Sequence, residues 1–244
     1  MADPNTGSDL AIIPLRAGSK GLPNKNLLPL AGKPLYMHAV EQALRVIGRC
    51  VITTDIAEIL NAHLPSGCLV IERPAELAGD RTPMVPVIMH ALDELQDMKA
   101  RTGRIALLQA TSPLREDRHI ADALDLHSTG DRDLVMSVTH TDPGILKYGF
   151  LEGNTFRPVS APHYCFENRQ NLPEIVRPNG AVYVFHAQDF RRYKGFSMPR
   201  IGAIEMPAAS SVDIDKLDDL KLAEAQLAAT STLRMASQEA RQCA

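Results

Sequence analysis

The stretch RAGSKGLPNKN at 16–26 sets Arg16, Lys20 and Lys25 around Gly18 and Gly21, directly behind the apolar run IIPL. Glycines admit positive φ and let backbone N–H groups come close to a ligand, so such a loop can form an anion-binding concavity. Three cations around it, four with Lys33, suit a triphosphate. A glycine-rich turn with solvated lysines is the alternative. The loop has neither Gly-x-x-x-x-Gly-Lys-Ser/Thr nor Gly-x-Gly-x-x-Gly, so it is not one of the common phosphate motifs.

The second constellation is SVDID at 211–215. Read as a strand, it points Asp213 and Asp215 to the same face. Two like charges so placed are unfavourable unless a cation lies between them. Magnesium suits hard carboxylate oxygens while keeping waters and accepting phosphate oxygens. For Asp215 alone, capping the following helix is nearly as good a reading. His140 and His163 have no metal-ligand spacing and read as surface residues.

These residues need a frame, and the chain supplies an alternation. Residues 10–15 read as a buried parallel strand, 50–54, 68–71 and 134–138 as further strands and 105–108 as a central one. Residues 35–47, 56–64, 85–95 and 120–127 read as helices between them, with Asp55 and Ser112-Pro113 as start signals. The result is an α/β fold: a doubly wound, mostly parallel sheet that gathers ligands at the carboxyl ends of its strands. The rhythm breaks over 139–178, which holds five prolines and no clean period. The expected organisation is therefore a domain of 8–138 and 179–230, an inserted segment at 139–178 and a loose tail at 231–244. Strands are expected again at 181–185, 201–205 and 211–214, and a helix at 217–227.

Composition narrows the function classes. Among 244 residues, 45% are hydrophobic and 23% charged, as in an ordinary globular protein, and the net charge of −3 argues against a general nucleic-acid-binding surface. Attraction for anions must be local. Cys50, Cys68, Cys165 and Cys243 form no Cys-x-x-Cys pair, which fits a reducing cytoplasm. No apolar run approaches the roughly 20 residues that span a bilayer, and the polar start lacks a signal-peptide pattern.

IIPLRAGSKGLPNKN at 12–26 closely resembles the signature of the acylneuraminate cytidylyltransferases, the CMP-sialic acid synthetases. The resemblance continues, in order, through TTD (53–55), RPAEL (73–77), LQATSPLR (108–115), RPNGAVY (177–183) and SVDID. It implies a Rossmann-like nucleotidyltransferase in which CTP and a nonulosonic acid give a CMP-sugar and pyrophosphate, with Mg2+. By the same resemblance Arg16 and Lys25, with Gly18, Ser19 and Lys20, hold the phosphates. Asn26 helps place the cytidine, Arg73 contacts the nucleotide, and Asp213 and Asp215 hold the metal. Gln109 faces the same crevice for sugar recognition. The insertion becomes a dimerisation arm whose Lys147 and Arg169 bind the sugar carboxylate of the partner's site. Tyr183 packs near the sugar or in the core, while Tyr164 and Phe166 fill the interface of a homodimer.

The chain departs from the family at Asp80-Arg-Thr-Pro-Met84, where Asp-Thr-Ala-Ser-Ser is usual; that bears on base recognition. A CMP-KDO synthetase would show Leu-Pro-Gly-Lys-Pro in place of Leu22-Pro-Asn-Lys-Asn26. Another sugar nucleotidyltransferase, or a non-catalytic nucleotide-binding paralogue, completes the alternatives.

Overall fold

The computed structural model describes residues 8–19, 21–98 and 102–242, with 230–242 described by backbone alone. Lys20 and Cys243, singled out above, lie outside the described residues. The strands and helices run in the order β1 (Ser8–Pro14), β2 (Pro29–Leu30), β3 (Lys33–Pro34), α1 (Leu35–Val46), β4 (Cys50–Thr54), α2 (Ala57–Leu60), β5 (Cys68–Glu72), α3 (Met84–Asp97) and β6 (Thr102–Leu108). They continue with α4 (Asp117–Ser128), β7 (Leu134–Thr141), β8 (Gly149–Glu152), β9 (Thr155–Pro158), β10 (Ile175–His186), α5 (Ala187–Tyr193), β11 (Ile201–Glu205) and α6 (Leu217–Gln242).

Seven strands form one sheet in the order β11-β7-β10-β6-β1-β4-β5. Alternate residues of β1 explain why it is covered on both faces. Ala11 and Ile13 pack with Tyr36, Val40 and Ala43 of α1 and Ile120 and Ala123 of α4, while Leu10 and Ile12 pack with Ile88, Leu92 and Leu95 of α3. A strand buried on both faces must be apolar throughout, and β1 is. Buried residues at 36, 39, 40 and 43 give α1 the stripe that such a layer needs.

The sheet is mixed in one place. β1 pairs parallel with β4 and β6, β4 with β5, and β11 with β7, whereas β10 runs antiparallel between β6 and β7. The beginning of β10 therefore lies at the edge where the parallel strands end. Within β10 the register shifts between Pro178 and Tyr183, a bulge where Gly180 takes φ of +81°.

Several boundaries differ from the sequence expectations. The helix at 56–64 shrinks to α2, which ends at Leu60 where the Asn61 side chain bonds back to the Ala57 carbonyl. α4 begins at Asp117, not after Ser112-Pro113, and is capped by the reciprocal Glu116–His119 box. SVDID is not a strand: Ala208–Ser211 is a 3₁₀ turn, and residues 212–215 are extended without ladder pairing. Ladder pairing continues to Thr141 and resumes at Ile175, so the segment outside the sheet is 142–174, narrower than 139–178. The helix expected at 217–227 runs on to Gln242, through most of the expected tail. Among the described residues no helix is long and apolar enough to cross a membrane.

Candidate active site

The opening loop leaves β1 at the carboxyl edge of the sheet. It does not run straight into a helix: a 3₁₀ turn at Lys25–Leu27 and the β2–β3 hairpin precede α1. Gly18 has φ of +68°, as a ligand-cradling turn requires. Gly21 is needed for closeness instead, since a Cβ there would lie 2.5 Å from the Asp215 carbonyl oxygen. The basic loop and the acidic segment, 194 positions apart, are in backbone contact.

Their side chains also meet. Lys25 Nζ donates to Asp215 Oδ1 at 2.9 Å, with Lys25 itself buried. Asn26, also buried, donates to the Arg16 carbonyl at 3.1 Å and closes the loop on itself. Asp215 does not cap α6; the Asp219 carboxylate accepts from the backbone N–H groups of Asp215 and Lys216, both at 3.0 Å. Lys33 stands apart from the loop, ion-paired with Glu41 on α1.

Asp213 stands on the same outward side as Asp215, because Ile214 between them is fully buried and donates its N–H to the Thr111 carbonyl at 2.8 Å. The alternation expected of a strand thus survives without the strand. Part of the Asp213 side chain is open to solvent, but its carboxyl is crowded. Desolvation raises its pKa above the ordinary carboxylate value, and the Asp215 charge adds to the rise; Thr111 and Lys25 oppose it. Tyr183 is half-buried against Phe196, ring centroids 5.4 Å apart, and the Asp213 charge helps burial to raise its phenol pKa. It therefore belongs to the core and reaches the site's edge at once.

A third group of residues gathers at the ends of β4 and β5. Asp55 Oδ1 accepts from the Ala17 N–H at 2.8 Å and so ties the loop to β4. Arg73 is 5% exposed, and its Nη2 donates to the Thr53 carbonyl at 2.7 Å. Its Nε is buried without a partner among the described residues. Burial pulls the Arg73 guanidinium down to about 10; Asp55 counters this and the Arg16 charge adds to it. Arg16 is ion-paired with Asp80. A cleft of about 730 Å³ opens at Asp55 and Arg73 and extends along β5 to Glu94 and Met98.

Gln109 follows β6 directly. Arg115, fully buried, donates to the carbonyls of Gln109 at 3.1 Å and Ala181 at 2.8 Å, and to Gln42 Oε1 at 2.8 Å. With no carboxylate in its bonds, burial lowers its pKa to about 9. Lys147 and Arg169 are held within the arm, Lys147 on the Glu167 carbonyl and Arg169 on Asp142 Oδ1 at 3.2 Å. Their described contacts do not reach the loop or the acidic segment. His140 pairs with Glu205 at 3.1 Å, and His163 lies against the Tyr164 ring.

Sequence reasoning treated Asp55 as a helix start and gave Asp80 no role beyond its altered surroundings. The TTD segment was the available signal for Asp55. The pairing of Arg16 with Asp80 joins residues 64 apart, and nothing local marks it.

The basic loop, the acidic segment and the β4–β5 residues thus meet at one edge of the sheet. The sequence profile of the family described as Cytidylyltransferase matches residues 10–193. The chain belongs to this family. The N-acylneuraminate cytidylyltransferase of Escherichia coli O18:K1:H7 (strain RS218 / NMEC) is 35% identical over 217 residues, covering 88% of this chain and 51% of that protein. The chain spans about half the length of the first curated relatives it matches. The CMP-N,N'-diacetyllegionaminic acid synthase of Legionella pneumophila (strain Philadelphia 1) is 32% identical, covering 88% of this chain and 94% of that protein. In structure, a CMP:2-keto-3-deoxy-manno-octonic acid synthetase complexed with CTP aligns with a TM-score of 0.68 at 19% identity, over 91% of this chain and 99% of that one. That likeness establishes the nucleotidyltransferase fold, with its mostly parallel sheet and flanking helices.

Proposed function

We propose that the chain joins CTP to a nonulosonic acid, giving the CMP-sugar and pyrophosphate. The observation that carries this reading is the meeting of the basic loop with the acidic segment, Lys25 on Asp215 and Gly21 against the Asp215 backbone. The anomeric hydroxyl of the sugar attacks the α-phosphorus, the new P–O bond forms, and the bond to pyrophosphate breaks. Such transfers depend chiefly on positioning and charge neutralisation. Arg16 and Lys25 face the phosphates, with Gly18 and Ser19 of the described loop beside them. Asn26 fixes the loop from below. Arg73 points a partly unsatisfied guanidinium at the nucleotide side, with Asp55 as its counter-charge.

Asp213 and Asp215 fit a magnesium ion: both are hard oxygen donors on one side of the chain, and the Asp215 charge is felt at Asp213. Two carboxylates leave the remaining positions around such an ion to waters and phosphate oxygens. Bound magnesium would supply neutralisation of the phosphate charge. The raised pKa of Asp213 suits a carboxylate that accepts the hydroxyl proton.

The sugar falls to Gln109 and Tyr183, with Lys147 and Arg169 contributed across a homodimer. The arm supports that assembly with exposed apolar residues, among them Phe166 at 90% and Leu151 at 74%. The cysteine pattern supports a cytoplasmic setting. Pyrophosphate release with CTP, UTP and GTP against N-acetylneuraminic, legionaminic, pseudaminic and 3-deoxy-manno-octulosonic acids tests the reading. Release with CTP and a nine-carbon acid is expected. Release confined to the eight-carbon acid, or none with any pair, overturns it.

A further inference from the structure

We infer that Asn179 is a positioning residue for the acidic segment, acting on Asp213 through Ser211; this rests on the function proposed above. Asn179 sits in the β10 bulge and is 6% exposed, so substrate has little access to it. Both ends of its side chain are engaged. Oδ1 accepts from Ser137 Oγ at 2.5 Å and from the Ala181 N–H at 3.2 Å, while Nδ2 donates to Ser211 Oγ at 2.9 Å. Ser137 in turn accepts from the Val182 N–H at 2.9 Å, restoring a bond that the bulge would otherwise forfeit. Ser211 donates to the Pro207 carbonyl at 2.9 Å. The amide thus joins β7, β10 and the 3₁₀ turn that ends two residues before Asp213.

The other side of Asp213 is fixed by the Ile214 N–H on the Thr111 carbonyl. Residues 212 and 213 are therefore strung between two anchors, with no ladder or helix of their own, and Thr111 bonds the Asp213 carboxylate. An extended segment without ladder pairing has no intrinsic register. Removing the Asn179 anchor frees the backbone that aims Asp213, and a displacement of about 1 Å costs about 100-fold in rate. Nucleotide contacts on the opening loop and β5 are left in place.

The test uses full-length Asn179→Ala, Asn179→Asp, Ser211→Ala and Ser211→Thr, with Asp213→Ala as reference. Asn179→Asp retains the acceptor oxygen for Ser137 and Ala181 and loses the amide donor; the Ser211 hydroxyl can then meet the carboxylate only by turning away from the Pro207 carbonyl. Expected are a 10- to 100-fold loss of kcat in Asn179→Ala and Ser211→Ala and a smaller loss in Asn179→Asp, with KM for CTP within about threefold of wild type. Ser211→Thr, which keeps the hydroxyl, should retain most of the activity. The double variant Asn179→Ala/Ser211→Ala should lose little more than either single. Mn2+ binding followed by electron paramagnetic resonance gives a readout without turnover: it should be absent in Asp213→Ala and weakened severalfold in the Asn179 variants. Wild-type kcat in a folded Asn179→Ala or Ser211→Ala, additive losses, or a change in KM alone would overturn the inference. A wild-type protein inactive with every nucleotide and acid sinks the proposed reaction, whereas Mn2+ binding that depends on Asp213 but not on Asn179 sinks the positioning role alone.

Discussion

Lys25 and Asp215 were legible as chemistry before any fold was known, because a cation loop and a carboxylate pair are local patterns. Their meeting at 2.9 Å was not, since it needs the whole sheet between them. The same limit hid Asp55, whose carboxylate serves the Ala17 amide and not the helix after it. Arg16→Ala should lower kcat at least as much as it raises KM for CTP, because charge on the leaving pyrophosphate grows during the reaction. Steady-state kinetics decides this, and a change in KM alone would make Arg16 a uniform binding residue. Asp213→Ala and Asp215→Ala should each remove at least about 100-fold of turnover with the fold intact, as loss of a transition-state charge partner does. Near wild-type rates across a magnesium titration would reject that assignment.

At the scale of elements, periodicity located the buried strands and long helices well, because a layer covered on both faces must be apolar throughout. It misread SVDID, where the in-and-out alternation is imposed by one buried isoleucine and one backbone bond. It also could not see that β10 is antiparallel, since strand direction leaves no mark on apolar content. Gly21→Ala is the sharpest probe of the loop–segment contact. The added Cβ meets backbone, which cannot swing aside, so activity should fall at least about tenfold, in line with the cost of misplacing reacting groups. Circular dichroism should stay unchanged. Another element-level test lies on α4, where His127 is 3% exposed and packs edge-on against His186. Burial first, then the His186 charge, lowers its pKa from 6.5 to about 4. The unfolded chain thus takes up a proton that the folded chain refuses. Stability is full above pH 6.5 and is lost as pH falls towards 4, by at most about 3 kcal/mol. Thermal melts from pH 7.5 to 4.5 should steepen in wild type relative to His127→Gln.

For the whole molecule, the decisive question is whether two chains build each site. Mixing Arg169→Ala with Asp213→Ala chains, each inactive alone, should recover part of the activity if the arm's cation acts in the partner's crevice. Mixed dimers that form and recover nothing would confine Arg169 to its own chain or remove it from the site. The insertion was visible in the sequence as a break in rhythm, but its edges were not, because the returning strand carries Pro178 and a bulge that hide its pairing with β7. Those edges carry one more implication. Thr141 and Ile175 face each other as ladder partners, so the chain leaves the sheet and returns to it at a single doorway. The arm is a detachable cassette: replacing 142–174 with a two-residue Asn-Gly turn should leave a seven-stranded body that still melts cooperatively. Nucleotide binding should then survive in a chain without the segment proposed to pair it.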